Sequence, residues 1–145
     1  METIEKNKQT VPRAVEEIWN GAKYENLDEF LATGFIGHTS SPDLKIVGAE
    51  GVRKLFSELR NAFPDLRYTI TDQVAEGEKV VTYWTAEGTH RGIFKGIAPT
   101  GKRIKITAID IDRLVNGKVV ECWNNMDELG LLQQLGVVPV MENQS

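Results

Sequence analysis

The hydrophobic repeat of this chain changes once, at Asp65, and no single class of secondary structure can serve both sides of the change. Upstream, apolar residues recur at three- and four-residue steps; downstream they alternate, so the period falls from about 3.6 to about 2 residues. In the upstream part, Thr10 offers an N-cap and Pro12 falls in the first turn of a helix carrying Val11, Ala14, Val15, Ile18, Trp19 and Ala22. Residues 1–9 are polar, and fraying is predicted there. A shorter helix is predicted over 26–32, with Asn26 and Glu29 placed as a capping pair. Residues 35–41 form an extended piece carrying His38, and Ser40, Ser41, Pro42 and Asp43 make a turn. Ala49, Val52, Leu55, Phe56, Leu59 and Phe63 then predict a third helix over 48–62, stopped by Pro64.

Downstream, Leu66, Tyr68, Ile70, Asp72 and Val74 alternate as one strand, and residues 80–88 read as a second, rich in β-formers. Residues 88–101 hold several glycines and a Pro-Thr-Gly turn, so a short or interrupted strand with tight bends is expected. A long strand over 103–114 meets Asn116-Gly117, the strongest hairpin signal in the chain, and 118–124 returns antiparallel. A short amphipathic helix with Leu131, Leu132 and Leu135 ends at Gly136. Helices, then a meander of four or five strands, then a last helix, is an α+β plan: helices cover one face of a curved antiparallel sheet, and a pocket lies between.

At 145 residues the chain is predicted to be one domain, with a core over about 11–138 and tails at 1–9 and 139–145. Its net charge of −4 is spread along the sequence, without a basic stripe, so neither nucleic acid nor a membrane surface is expected as a partner. The N-terminus lacks the apolar core of a signal peptide and no run of 18 apolar residues occurs, which predicts a cytoplasmic protein. Cys122 is the only cysteine and reads as a buried small hydrophobe. It and the two histidines lie far apart, so no zinc site is expected, and no glycine-rich phosphate loop points to a nucleotide cofactor.

The candidates for chemistry are few. Asp127 stands where the last strand becomes the last helix, and two uses are open to it: capping free backbone N–H groups, or facing the pocket as a general base of raised pKa. His38 and His90 are each either a structural histidine or a pocket residue. Trp84 and Trp123 read as core or pocket-wall aromatics, and Trp19, Phe35 and Phe56 are further candidates for the wall. Asp110 and Asp112 interrupt an apolar strand on the face of Ile106 and Ala108; such carboxylates are either exposed or partnered, and Asp110 is a candidate substrate contact. No Ser-His-Asp or Cys-His arrangement is suggested.

Several segments together carry a resemblance: Trp19-Asn20, the isolated His38, AFPDL at 62–66, GTHRG at 88–92, GIAPTGKRI at 96–104, NGKVVECW at 116–123, and Asp127 before LGLLQQLG at 129–136. In that order they resemble the SnoaL-like polyketide (ester) cyclases of the NTF2-like superfamily. The resemblance implies an α+β cone with a deep apolar cavity and a homodimer packed through the sheet face. It implies ring closure by intramolecular aldol chemistry on a carbonyl-containing, largely apolar small molecule, without metal or organic cofactor. The family's acid/base aspartate would match Asp127, and His90, His38 or the Trp123 indole N–H would serve the enolate. An isomerase or hydrolase using the same carboxylate, or a binding module in which Asp127 only caps, are the alternatives. Asp112 departs from the pattern, since many relatives carry an aromatic or aliphatic residue there.

Overall fold

The computed structural model describes residues 2–41 and 43–140. Its elements run α1 (Glu2–Ala14), α2 (Leu27–Phe30), β1 (Leu31–His38), β2 (Lys45–Val47), α3 (Gly48–Ala62), β3 (Arg67–Glu76), β4 (Lys79–Thr89), β5 (Arg103–Val115), β6 (Lys118–Met126) and α4 (Glu128–Leu135). The strands form one sheet in the order β2-β1-β6-β5-β4-β3. Every neighbouring pair is antiparallel except β1 with β6, so the sheet is mixed.

The first helix begins at Glu2 rather than near Thr10, which corrects the expectation of a frayed start. Its polar residues conceal an inner face: Asn7 is buried, as is Val11 one turn on. Thr10 lies inside the helix and its hydroxyl returns to the Lys6 carbonyl at 2.9 Å instead of capping. Pro12 has no N–H to give the ladder, and the helix widens after it into a π-helical stretch, Val15–Asn20. That widening brings Trp19 and Asn20 over the sheet. The predicted helix over 26–32 is a 3-10 turn, Tyr24–Asn26, followed by only four residues of α2, and Asn26 makes no side-chain cap. From Leu31 the chain is already extended, because β1 finds a parallel partner in β6. Of the turn at 40–43, Pro42 lies outside the described residues.

From α3 onward the elements follow the sequence pattern. Asn116 and Gly117 adopt φ of 53° and 79°, as a tight β5–β6 hairpin needs, and Gly136 closes α4 at φ 82°. Register slips between Ile70 and Asp72 and between Arg113 and Leu114 mark bulges, which strengthen twist and curl the sheet. The segment 90–102 is a loop with one isolated bridge, Phe94 to Ile97. It is tied to the end of α3 by Arg91 and Gly92, whose N–H groups both donate to the Ala62 carbonyl. Any Cβ at Gly92 would run into the Asn61 carbonyl, so only glycine permits this approach. On the inner face Ile104, Ile106, Ala108, Asp110, Asp112 and Leu114 of β5 alternate in phase and are all buried.

Candidate active site

Between the inner face of the sheet, α3 and the π-helical stretch lies a hollow of about 390 Å³, within the range for binding a small molecule. Its wall is mostly apolar and includes Trp19, Phe35, Val52, Phe56 and Trp84. Four aromatic rings make one corner. Trp19 meets Trp84 edge-on at 5.4 Å and Tyr68 at 5.2 Å, and leans on Phe56 at 5.7 Å. Asn20 extends the β3 edge like a short strand: its amide donates to the Tyr68 carbonyl at 3.0 Å and accepts from the Tyr68 N–H at 2.7 Å. Arg60 donates to the carbonyls of Trp19 and Leu66 at 2.6 and 2.7 Å. The corner is therefore pre-set by backbone contacts before any ligand arrives.

The polar floor of this cavity comes from β5 and β6. Asp110 lines it, 4% exposed, and faces Asn124 across the strands; the Asn124 amide donates to Asp110 Oδ1 at 2.5 Å. Asp112 sits one inward step further, 9% exposed, opposite Cys122. Burial, and then the negative charge of Asp112, push the Asp110 carboxyl up to about 7. Asn124 and the nearby Trp84 indole N–H pull it back toward the ionised form. That indole N–H is outside hydrogen-bond geometry with Asp110, and it finds no other acceptor among the described residues. Burial pushes Asp112 up to about 6, opposed by a hydrogen bond from the Cys122 thiol. The thiol is itself pushed up, by burial and then by the two carboxylates, and remains S–H. Two carboxylates this close in a dry site titrate as a pair, the first proton leaving more readily than the second.

The residues expected at the site divide. Trp19, Phe35, Phe56, Trp84 and Asp110 are in the cavity wall. Asp127 is not, which corrects the expectation that it looks inward: it is exposed at the N-cap of α4 and Oδ1 accepts from the Gly130 N–H at 2.9 Å. Its strand has ended one residue earlier, so nothing turns the carboxylate under the sheet. Asp127→Ala is expected to cost about 1 kcal/mol of stability, as urea unfolding would register.

His90 is corrected also. It is fully buried but outside the cavity wall, where it packs on Phe63 and holds the 90–102 loop. Its Nδ1 accepts from the Thr100 N–H at 3.2 Å and lies 3.0 Å from the Thr100 hydroxyl, while its own backbone bonds to Gly101 and Lys102. His38 reaches the rim of the cavity, yet its ring is on the outer face of the sheet, stacked on Trp123 at 5.4 Å and 2.7 Å from Glu121. Trp123 is on that outer face for the same reason: it pairs with outward Ile111, whereas its neighbours Cys122 and Asn124 point in. Neither its indole nor the His38 ring can serve a group on the cavity floor.

Sequence reasoning passed over Tyr68 and Asn124 as site residues. Tyr68 shares its face with Leu66 and Ile70, and alternation alone gives a tyrosine there no special role. Asn124 becomes visible only once the β5–β6 register is known, because that register sets it against Asp110. At the cavity mouth, Lys95 of the loop pairs with Glu128 of α4 at 2.5 Å, joining the two segments that frame the opening.

The comparisons with known proteins agree with this architecture. AclR from Streptomyces galilaeus, assigned as a hydroxylase, superposes with a TM-score of 0.84 at 28% identity, covering 97% of this chain and 87% of that one. IdmH from Streptomyces antibioticus, assigned as a polyketide cyclase, gives 0.80 at 29% identity over 90% of this chain and 99% of its own. A protein from Jannaschia sp. CCS1, assigned as a SnoaL-like polyketide cyclase, gives 0.87 at 23% identity over 96% and 97% of the two chains, a likeness of fold. No curated protein matches the chain. The SnoaL-like polyketide cyclase profile matches residues 9–135, which spans every element from the middle of α1 to the end of α4. The mixed sheet curled over N-terminal helices is the NTF2-like fold, and the chain belongs to the SnoaL-like polyketide cyclase family.

Proposed function

We propose that this protein is a cofactor-independent acid/base enzyme that closes a ring in a largely apolar carbonyl compound, with Asp110 as the base. One observation carries this reading: a carboxyl with its pKa near neutrality lies on the floor of an apolar cavity, held by Asn124 and backed by a second carboxylate. A base is most useful when its pKa is near the working pH, since it is then both ionised and strong enough to take a proton. Asp110 would remove the proton from a carbon between two carbonyls, and the C–H electron pair would move onto oxygen as an enolate. The enolate carbon then attacks a further carbonyl of the same molecule, remote from the two that flank it, and the new alkoxide recovers the proton from Asp110. Asn124 positions the carboxylate, and the aromatic corner holds a flat substrate against it.

Deuterium uptake from D₂O by ethyl 2-oxocyclohexanecarboxylate, a compact β-keto ester, tests the first step. The enzyme-dependent rate is expected to climb with pH, since only ionised Asp110 accepts a proton, and to level above about pH 7. Uptake no faster than buffer from pH 5 to pH 9 would remove the assignment.

We also infer a homodimer through the outer sheet face. Tyr83 and Ile109 pair across β4 and β5 there and remain 39% and 49% exposed, with Val74 and Ile36 also open. Light scattering should give twice the chain mass, and Ile109→Arg should halve it; a wild-type monomer at micromolar concentration would contradict the inference.

A further inference from the structure

We infer that the Tyr68 hydroxyl and the Trp84 indole N–H are the two donors that hold the enolate oxygen, so that the cavity selects flat conjugated compounds whose oxygen becomes anionic. This rests on the reading of Asp110 given above and adds to it the group that receives the charge Asp110 releases. The expected donors, His90, His38 and Trp123, are outside the cavity or on the other face. Proton abstraction next to a carbonyl without a donor for the oxygen leaves negative charge in an apolar hollow, which is costly.

The sheet register places Trp84 next to the base and Tyr68 next to Trp84. Tyr68 on β3 is opposite Ala86, Trp84 on β4 is opposite Ala108, and Asp110 lies two residues beyond Ala108 on β5. The three therefore step diagonally across adjacent strands, all on the inner face, and all three line the cavity. The Tyr68 and Trp84 rings meet edge-on at 5.3 Å, which fixes their relative orientation. Trp84 is 5% exposed and its N–H is buried without an acceptor among the described residues. Tyr68 is 4% exposed, and no hydrogen bond contributes to the environment of its hydroxyl, which burial keeps firmly protonated. Buried donors in folded proteins are nearly always paired, so the unpaired Trp84 N–H in the cavity wall marks where an acceptor binds, and the Tyr68 hydroxyl is the neighbouring donor on the same face.

The charge logic is consistent. When Asp110 is ionised, the Trp84 N–H favours the negative charge there. As the carboxylate takes the substrate proton, the charge passes to the enolate oxygen, and a donor already directed at that region follows it without reorganisation. Tyr68, whose ring meets the indole edge-on, supplies the second hydrogen bond. Phe56 and Trp19 close over the same rings, which favours a planar, conjugated skeleton beneath them.

Naphthols imitate such an enolate, because their ring oxygen ionises and absorbs light differently when it does. Wild-type protein is expected to bind 1,6-dibromo-2-naphthol more tightly than naphthalene and to shift its absorption toward the naphtholate. Tyr68→Phe and Trp84→Phe should each weaken the naphthol by about tenfold or more and reverse part of the spectral shift, since charge-assisted hydrogen bonds are lost. Naphthalene affinity should stay within about twofold, because the rings that stack remain. Tyr68→Phe removes one oxygen from an otherwise unchanged ring, so it decides the matter even if Trp84→Phe fails to fold. Asp110→Asn should retain or tighten naphtholate binding by removing a like charge, which separates donors from base. The inference is overturned if the naphthol binds no better than naphthalene, or if Tyr68→Phe leaves its affinity and spectrum unaltered. Deuterium uptake that persists in wild type under either result would leave Asp110 as the base and discard only the donors.

Discussion

Asp110→Asn is expected to slow enzyme-dependent deuterium uptake by about 10²- to 10⁴-fold, the usual contribution of a positioned base, while the protein stays folded. The side chain is nearly isosteric, and an amide at 110 can turn its oxygen toward the Asn124 N–H that the carboxylate now accepts. What is lost is the ability to take a proton. Asp127→Asn offers the contrast, since that carboxylate is exposed at a helix cap and should leave the rate unchanged. If the two variants exchanged these outcomes, the base would be Asp127 and the cavity floor would be structural. Asp112→Asn should behave in a third way. With the neighbouring negative charge gone, Asp110 ionises more readily, so the rate plateau is reached at lower pH.

The difference between Asp127 and Asp110 also shows what a sequence can reveal. Local pattern gave α3 and the Asn116-Gly117 hairpin because both are decided within a few residues: a run of spaced apolar side chains, or two residues that accept positive φ. It also gave the cap at Asp127, one of the two uses left open for it, and pocket-wall positions for Trp19 and Trp84. The inward phase of Asp110 was equally visible, since it alternates with Ile104, Ile106 and Ala108. Its partners were not. Asn124 meets Asp110 through the β5–β6 register, and Cys122 meets Asp112 the same way, so the pairing depends on the bulge between Arg113 and Leu114. The outward turn of His38 likewise follows from its parallel pairing with Trp123, which lies on a strand far along the chain. The helix at residues 2–9 was missed because Asn7 is buried there by tertiary packing, and polar sequence gives no sign of it.

The protein is expected to lose stability as pH rises from about 4 to about 7, the reverse of ordinary acid denaturation. Asp110 and Asp112 have folded-state pKa values near 7 and 6, above the 3.8 of an unfolded aspartate. Below pH 3.8 both carboxyls are protonated in either state and cost the fold nothing. Above it the unfolded chain ionises first, so it is the unfolded state that gains, and the loss is complete once pH passes the folded values. The penalty belongs to the two carboxyls as a pair, since the charge of Asp112 is one cause of the Asp110 shift. The two carboxylates with lowered values do not hide the effect. Asp65, lowered by its hydrogen bonds from Thr89, and Glu121, lowered by its hydrogen bond from His38, stabilise the fold above their unfolded values and lose that contribution only in more acid solution. Tyr68 and Cys122, both pushed up by burial, stay neutral throughout. Urea midpoints should therefore fall between pH 4.5 and pH 8 in wild type, and this fall should largely vanish in a double Asp110→Asn, Asp112→Asn variant. A wild-type midpoint that rose over the same interval would mean that the two carboxylates are solvated or matched by a cation, and the floor of the cavity would not be dry.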